Sequence, residues 1–168
     1  PNVGGSLNLS TYTLNVAGGG LLFGLSTDNA IFRVFGGTVT AGTAGVASDL
    51  YVWNTPYTGN VRQVVLANTF ADNAGGPLRL VITNSDGYGG PRLTTLTGAN
   101  SHTGGTVVNT GSVLVNVVGA DGLSITGIPA HATDPNATLV LAGGSLQLGG
   151  SFQIASSAIP TLKGSSFL

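Results

Sequence analysis

Two histidines, His102 and His131, and six aspartates are the side chains that could move protons or hold metal ions in this chain. A Ser-His-Asp hydrolase needs a histidine between a serine and a carboxylate, and no Gly-x-Ser-x-Gly elbow marks a nucleophile. His131 has Asp121 and Asp134 near it in sequence. That is a weak metal-ligating set, and a solvated loop is the plainer reading. Glycoside hydrolysis needs two carboxyl groups about 5–9 Å apart. Asp28, Asp49, Asp72, Asp86, Asp121 and Asp134 instead stand beside Asn, Gly, Pro, Ser or Ala, where a carboxylate caps backbone N–H groups of turns. Asn84-Ser85-Asp86-Gly87 invites a calcium reading but lacks the repeated Asp and terminal Glu of an EF-hand, so it reads as a turn. No Gly-Lys-Ser/Thr follows any glycine pair, which removes a phosphate loop. Tyr51, Trp53 and Tyr57 could form a sugar-stacking face, since Tyr51 and Trp53 alternate to one side of a strand; core or edge packing is the plainer reading. No catalytic, cofactor-binding or metal-ligating residue is assigned, and the chain is expected not to be an enzyme.

What must position these groups is legible in composition. The chain has 168 residues, the length of one domain. Only 7% are charged, against about 25% in a typical soluble domain. Glu and Met are absent, Lys occurs once, at Lys163, and Gly supplies 28 residues. The side chains that favour helices are missing, so the chain reads as all-β. Net charge is −1, and no field draws it to nucleic acid or anionic lipid. Arg33, Arg62, Arg79, Arg92 and Lys163 lie far apart, not in the cluster a nucleic-acid footprint needs. Near-zero charge on a Gly-rich chain also favours association, although Thr, Ser and Asn can keep it soluble. Cysteine is absent, which excludes disulfides, thiolate metal sites and a Cys nucleophile. No apolar run reaches the ~18 residues that span a bilayer, so this segment is expected not to insert. No signal peptide is recognised. The start at Pro1 reads as a processed product or a section of something longer.

Glycine pairs recur and most precede an alternating stretch. Gly4-Gly5, Gly36-Gly37, Gly104-Gly105, Gly143-Gly144 and Gly149-Gly150 each lead into Ser or Thr and an apolar residue. Gly turns a sharp corner and the Ser or Thr opens a strand whose alternate residues point inward. Strands are predicted at 6–9, 12–16, 21–25, 31–35, 38–40, 49–53, 61–66, 78–83, 92–97, 106–109, 112–118, 123–126, 138–142, 145–148 and 151–154. Residues 65–72 have room for one helical turn, ended by Gly75-Gly76-Pro77. Residues 119–137 read as a loop extruded from the body of one domain, 1–168. Repeated corners between short strands suggest a solenoid or a barrel-like wrap.

Residues 96–116, Leu-Thr-Gly-Ala-Asn-Ser-His-Thr-Gly-Gly-Thr-Val-Val-Asn-Thr-Gly-Ser-Val-Leu-Val-Asn, are the best-kept copy of the pattern. They resemble the autotransporter-associated β-strand repeat of bacterial secreted and surface proteins. That motif runs roughly Leu-Thr-Gly-x-Asn-x-Tyr-x-Gly-Gly-Thr-x-apolar-x-x-Gly-x-Leu. The matching positions are Leu96, Thr97, Gly98, Asn100, Thr103, Gly104, Gly105, Thr106, Val108, Asn109, Gly111 and Leu114. His102 stands where the family has an aromatic, which makes it a corner side chain packing on its neighbours. Looser likeness runs from about residue 36 to 118 and includes Ser48–Val52 and Ala71–Gly76.

The resemblance implies a right-handed parallel β-helix, a β-solenoid with no substantial helix. At about 20–25 residues per coil it would have about seven coils, each adding about 4.8 Å. Gly98, Asn100, Gly104, Gly105, Thr106, Asn109, Gly111 and Leu114 would then be structural residues of the repeat. The expected function is a structural subunit of a bacterial extracellular or cell-surface protein, self-assembling head-to-tail into fibres, because both ends look like ordinary coils without polar caps. An adhesin-type module holding glycan or a host surface through the 119–137 loop and the Tyr51–Tyr57 aromatics is the alternative. A polysaccharide-cleaving β-helix enzyme is the third reading.

Overall fold

The computed structural model describes residues 5–24, 31–55, 62–85, 92–118 and 127–163, and the side chains of all of these except Arg62 and Arg92. Tyr57, Asp28, Asp86, Asp121 and the expected strand at 123–126 lie outside the described residues.

The strands are β1 (Ser6–Val16), β2 (Gly20–Phe23), β3 (Ile31–Ala41), β4 (Ser48–Asn54), β5 (Arg62–Phe70), β6 (Leu78–Asn84), β7 (Arg92–Leu96), β8 (Thr106–Thr110), β9 (Ser112–Val115), β10 (Leu139–Leu141), β11 (Ser145–Leu148) and β12 (Thr161–Leu162). Odd-numbered strands stack in one six-stranded sheet and even-numbered strands in another. Every strand pairing is parallel. Successive strands therefore alternate between sheets, and each coil lies on the one before it: a parallel β-solenoid, as the Gly-cornered pattern predicts.

The two sheets face each other through stacked apolar ladders. In the first, Leu7, Val34, Leu66, Leu96, Val115 and Leu148 occupy matching positions of successive coils. In the second, the ladder is Leu21, Val52, Ile82, Val108, Leu141 and Leu162. The middle rungs are buried, while Leu7, Leu148 and Leu162 at the two ends are exposed. Each fully buried Leu, Val or Ile contributes about 1.5–3 kcal/mol, so the interior holds without charges.

The stack has fewer coils than the seven expected. Its advance per coil is uneven: Leu50 is matched by Leu80 and Val34 by Leu66, both long steps, whereas Leu96 is matched by the much nearer Val115. Most coils are longer than expected, so they consume the chain sooner. The six rungs of each ladder fall short of the seven coils expected.

Several local expectations change. The predicted pairs 6–9 with 12–16, and 31–35 with 38–40, are single strands that bend. Ser10 has φ 51° at the bend of β1, and Gly36 (φ 70°) and Gly37 (φ 54°) form the bend of β3 beside it. The 65–72 stretch is not helical: β5 runs to Phe70, with Leu66 and Phe70 in the core. Parallel pairing with β3 supplies its backbone partners, and that outweighs any local preference for a turn. Among the described residues the only helix is a 3₁₀ turn at Pro135–Ala137, capped by the Asp134 carboxylate accepting from the Asn136 N–H. The 119–137 segment is not wholly extruded. Ile128 is fully buried and pairs with Ile154. The expected strand 151–154 is reduced to that bridge, and Phe152 stands out at φ 57°.

Candidate functional site

The residues of the 96–116 repeat take part in several close contacts and hydrogen bonds between coils. A Cβ on Gly98 would overlap the carbonyl oxygen of Asn68, so two coils touch backbone to backbone there. Beside this contact Asn100 spans neighbouring coils. Its Oδ1 accepts the Phe70 N–H at 2.9 Å and its Nδ2 donates to the Gly127 carbonyl at 2.7 Å. Gly104 and Gly111 are hemmed in by Leu78 and Asn84, and Gly105 takes φ 83° beneath the Ala137 carbonyl. Thr106 is fully buried and Asn109 donates to Thr83 Oγ1 across the ladder. Leu114 differs: Val113 and Val115 face the core, and Leu114 stands half-buried on the outer side, in register with Thr95 and Gln147.

His102 is fully buried. Its Nε2 lies 3.0 Å from Thr106 Oγ1, and Nδ1 has no partner among the described residues. Burial pushes its pKa down to about 4, against a smaller opposing pull from Asp72. Its burial keeps it a neutral core imidazole. Asp72 closes the neighbouring corner. Its Oδ1 accepts the N–H of Leu78 and of Thr103, both at 2.8 Å, and Oδ2 accepts the Thr103 hydroxyl at 2.7 Å. Partial burial would raise its pKa, but these hydrogen bonds outweigh that and hold it below the ordinary value. All three donors then depend on the charged carboxylate.

His131 is likewise taken up locally. Its Nδ1 accepts the N–H of Thr133 at 3.2 Å and of Asp134 at 3.0 Å. With Nδ1 so engaged and Asp134 capping the 3₁₀ turn, the pair is a folded loop. Among the described residues no group of three or more His, Cys, Asp or Glu side chains could hold a metal ion.

On the outward face of β4 chemistry-bearing side chains gather at the surface. Asp49, Tyr51 and Trp53 follow each other at period two, and so share one side. Tyr51 is 42% and Trp53 50% exposed. The Tyr51 hydroxyl donates to Asp49 Oδ2 at 3.0 Å. On β6, directly beside Asp49, Arg79 grips the same carboxylate with two bonds, Nε to Oδ1 at 2.8 Å and Nη2 to Oδ2 at 2.5 Å. The Arg79 guanidinium, helped by the Tyr51 hydroxyl, holds the Asp49 carboxyl below the usual carboxylate range despite its partial burial. On the other side of β4, Gly20 and Leu22 of β2 lie beside Tyr51 and Trp53. Together with glycines 18 and 19 they border a groove of about 440 Å³.

Sequence reasoning placed Tyr51 and Trp53 on one face but missed Asp49 and Arg79. The two are far apart in the chain, and only the coil advance brings them together. Compared with known protein families, curated proteins and solved structures, the chain has no match.

Proposed function

We propose that the chain is a structural β-solenoid unit that stacks head-to-tail, end coil on end coil, in an extracellular or cell-surface assembly, with no catalytic step of its own. The observation that carries this reading is the first coil. Among the described residues β1 pairs on one side only, with β3. Leu7, Leu14 and Leu21 beside it, with Phe23 and Phe32, border an apolar cavity of about 190 Å³ in the first coil. At the other end, among the described residues, β11 pairs only with β9, and Leu148 and Leu162 are exposed where the two core ladders end. An unpaired strand edge above an open apolar ladder is a template for another coil. A contact between unlike ends does not close on itself, and such contacts propagate. The low charge leaves little repulsion to oppose the stacking.

The test is mass determination by light scattering across a concentration series, with electron microscopy of the same samples. Rod-like oligomers that lengthen with concentration are expected. The Leu7→Lys, Leu14→Lys double variant, which charges the first coil, should remain folded by circular dichroism and stay monomeric. A wild-type protein that is strictly monomeric at high concentration overturns the reading.

A further inference from the structure

We propose that the outer face of β4 and its neighbours binds a neutral saccharide chain, with Trp53 and Tyr51 stacking on pyranose rings and the Asp49–Arg79 pair bonding to their hydroxyls, in a trough whose Leu21 and Leu22 also border the cavity of the end coil.

β2 carries no charged side chain on this face. Charged side chains normally cover an exposed sheet. Here β2 contributes Gly20 and Leu22, the latter 66% exposed, beside two half-exposed aromatic rings. A Cβ on Gly18 or Gly20 would meet nothing within 4 Å, so these glycines leave open space that larger residues could fill at no cost to the fold. Gly19 is different: its φ is 68° and a Cβ would press on the Asp49 carbonyl at 2.6 Å, which brings the glycine strip against β4. The result is a shallow trough with an aromatic wall. Its volume, about 440 Å³, falls in the range of small-ligand sites, about 300–1,000 Å³.

The polar end of the face selects among occupants. Asp49 and Arg79 neutralise each other, so the face carries paired donors and acceptors without net charge. Tyr51 and Asp49 stand one strand period apart, about 6.7 Å along β4. A pyranose ring offers the matching pattern, an apolar face of C–H groups and a rim of hydroxyls that both donate and accept. A guanidinium supplies donors and a carboxylate acceptors in planar, bidentate form. A peptide strand would add along the edge of β2, the terminal strand of this sheet among the described residues, and leave the aromatic rings and the Asp49–Arg79 pair on the face uncovered. An anionic polymer would be drawn to a cation whose charge is not already matched.

Trp53 is the only tryptophan of the chain, so intrinsic fluorescence reads the face directly. The probes are oligosaccharides of β-glucan, chitin, mannan and galactan, with oligogalacturonate as the acidic comparison. At least one neutral probe is expected to shift or quench the emission with half-saturation at about 1 mM or tighter. Calorimetry gives the affinity of variants that lack the fluorophore. Trp53→Ala should weaken binding at least tenfold. Gly20→Leu, which fills the trough, should do the same with an unchanged melting temperature. Asp49→Asn, which loosens the grip on Arg79, should weaken binding several-fold. The proposal is overturned if no neutral probe binds, if Gly20→Leu and Trp53→Ala bind as the wild type does, if only the acidic probe binds and salt abolishes it, or if this face proves to be buried between copies of the chain.

Discussion

The side-chain oxygen of Asn100 accepts the backbone N–H of Phe70, on the adjacent earlier coil, at 2.9 Å. Its amide nitrogen donates to the carbonyl of Gly127, later in the chain and on the other side, at 2.7 Å. One side chain thus stands in for two ladder bonds at a corner where the strands have ended. Parallel strands bond evenly through their length, but each corner leaves backbone groups that something else must satisfy.

Asn100→Ala removes both bonds and leaves a half-buried N–H and carbonyl without partners. A loss of about 1–3 kcal/mol is expected in urea unfolding. Asn100→Asp should not rescue it, because a carboxylate accepts from Phe70 but faces the Gly127 carbonyl without a proton to give. Wild-type stability in Asn100→Ala would mean that water replaces both bonds.

His102 makes the fold sensitive to acid. Its folded pKa is depressed to about 4 from an ordinary 6.5, so the unfolded chain takes up a proton before the folded one does. The stability this neutral imidazole preserves is fully present above about pH 6.5 and is lost as the pH falls from there to 4, by up to about 3 kcal/mol. Asp72, whose folded pKa is lowered, adds a further loss in a lower window, below its ordinary 3.8. Unfolding free energy measured from pH 8 to pH 4 should fall along this profile. His102→Gln should flatten it between 6.5 and 4; an unchanged slope in that variant would place the acid sensitivity elsewhere.

Asn54 and Asn84 occupy the same position in successive coils, in register and both fully buried. Asn84 accepts from Thr94 Oγ1 at 2.6 Å and donates to the Ser112 carbonyl at 2.9 Å. Neither amide atom of Asn54 has a partner among the described residues. The same substitution should therefore act in opposite directions. Asn84→Leu strands Thr94 and Ser112 and should cost about 1–3 kcal/mol, whereas Asn54→Leu removes an unsatisfied amide and should be neutral or stabilising by about 1 kcal/mol. Thermal melts of the two variants side by side decide it, and destabilisation by Asn54→Leu would reveal a partner for that amide.

Composition and local pattern are enough for the class of the fold and most of its strands. A chain without Glu or Met, with glycine pairs opening short alternating runs, cannot bury an apolar face as helices but can as stacked coils. The inward rungs, such as Val34, Leu66 and Leu96, follow from the period of two, which is a property of each strand alone. The same period put Tyr51 and Trp53 on one side. The coil advance is fixed only when the coils stack. The step from Leu50 to Leu80 is far longer than the step from Leu96 to Val115. The difference lies in how much chain each corner consumes, and corner length is weakly encoded because lengthening a loop costs little. Everything that crosses coils hangs on that advance. Asn100 reaching Phe70 and Gly127, His102 enclosed beside Asp72, and Arg79 closing on Asp49 are contacts between residues distant in the chain. No local pattern marks them, since the interactions exist only once one coil has been laid on another.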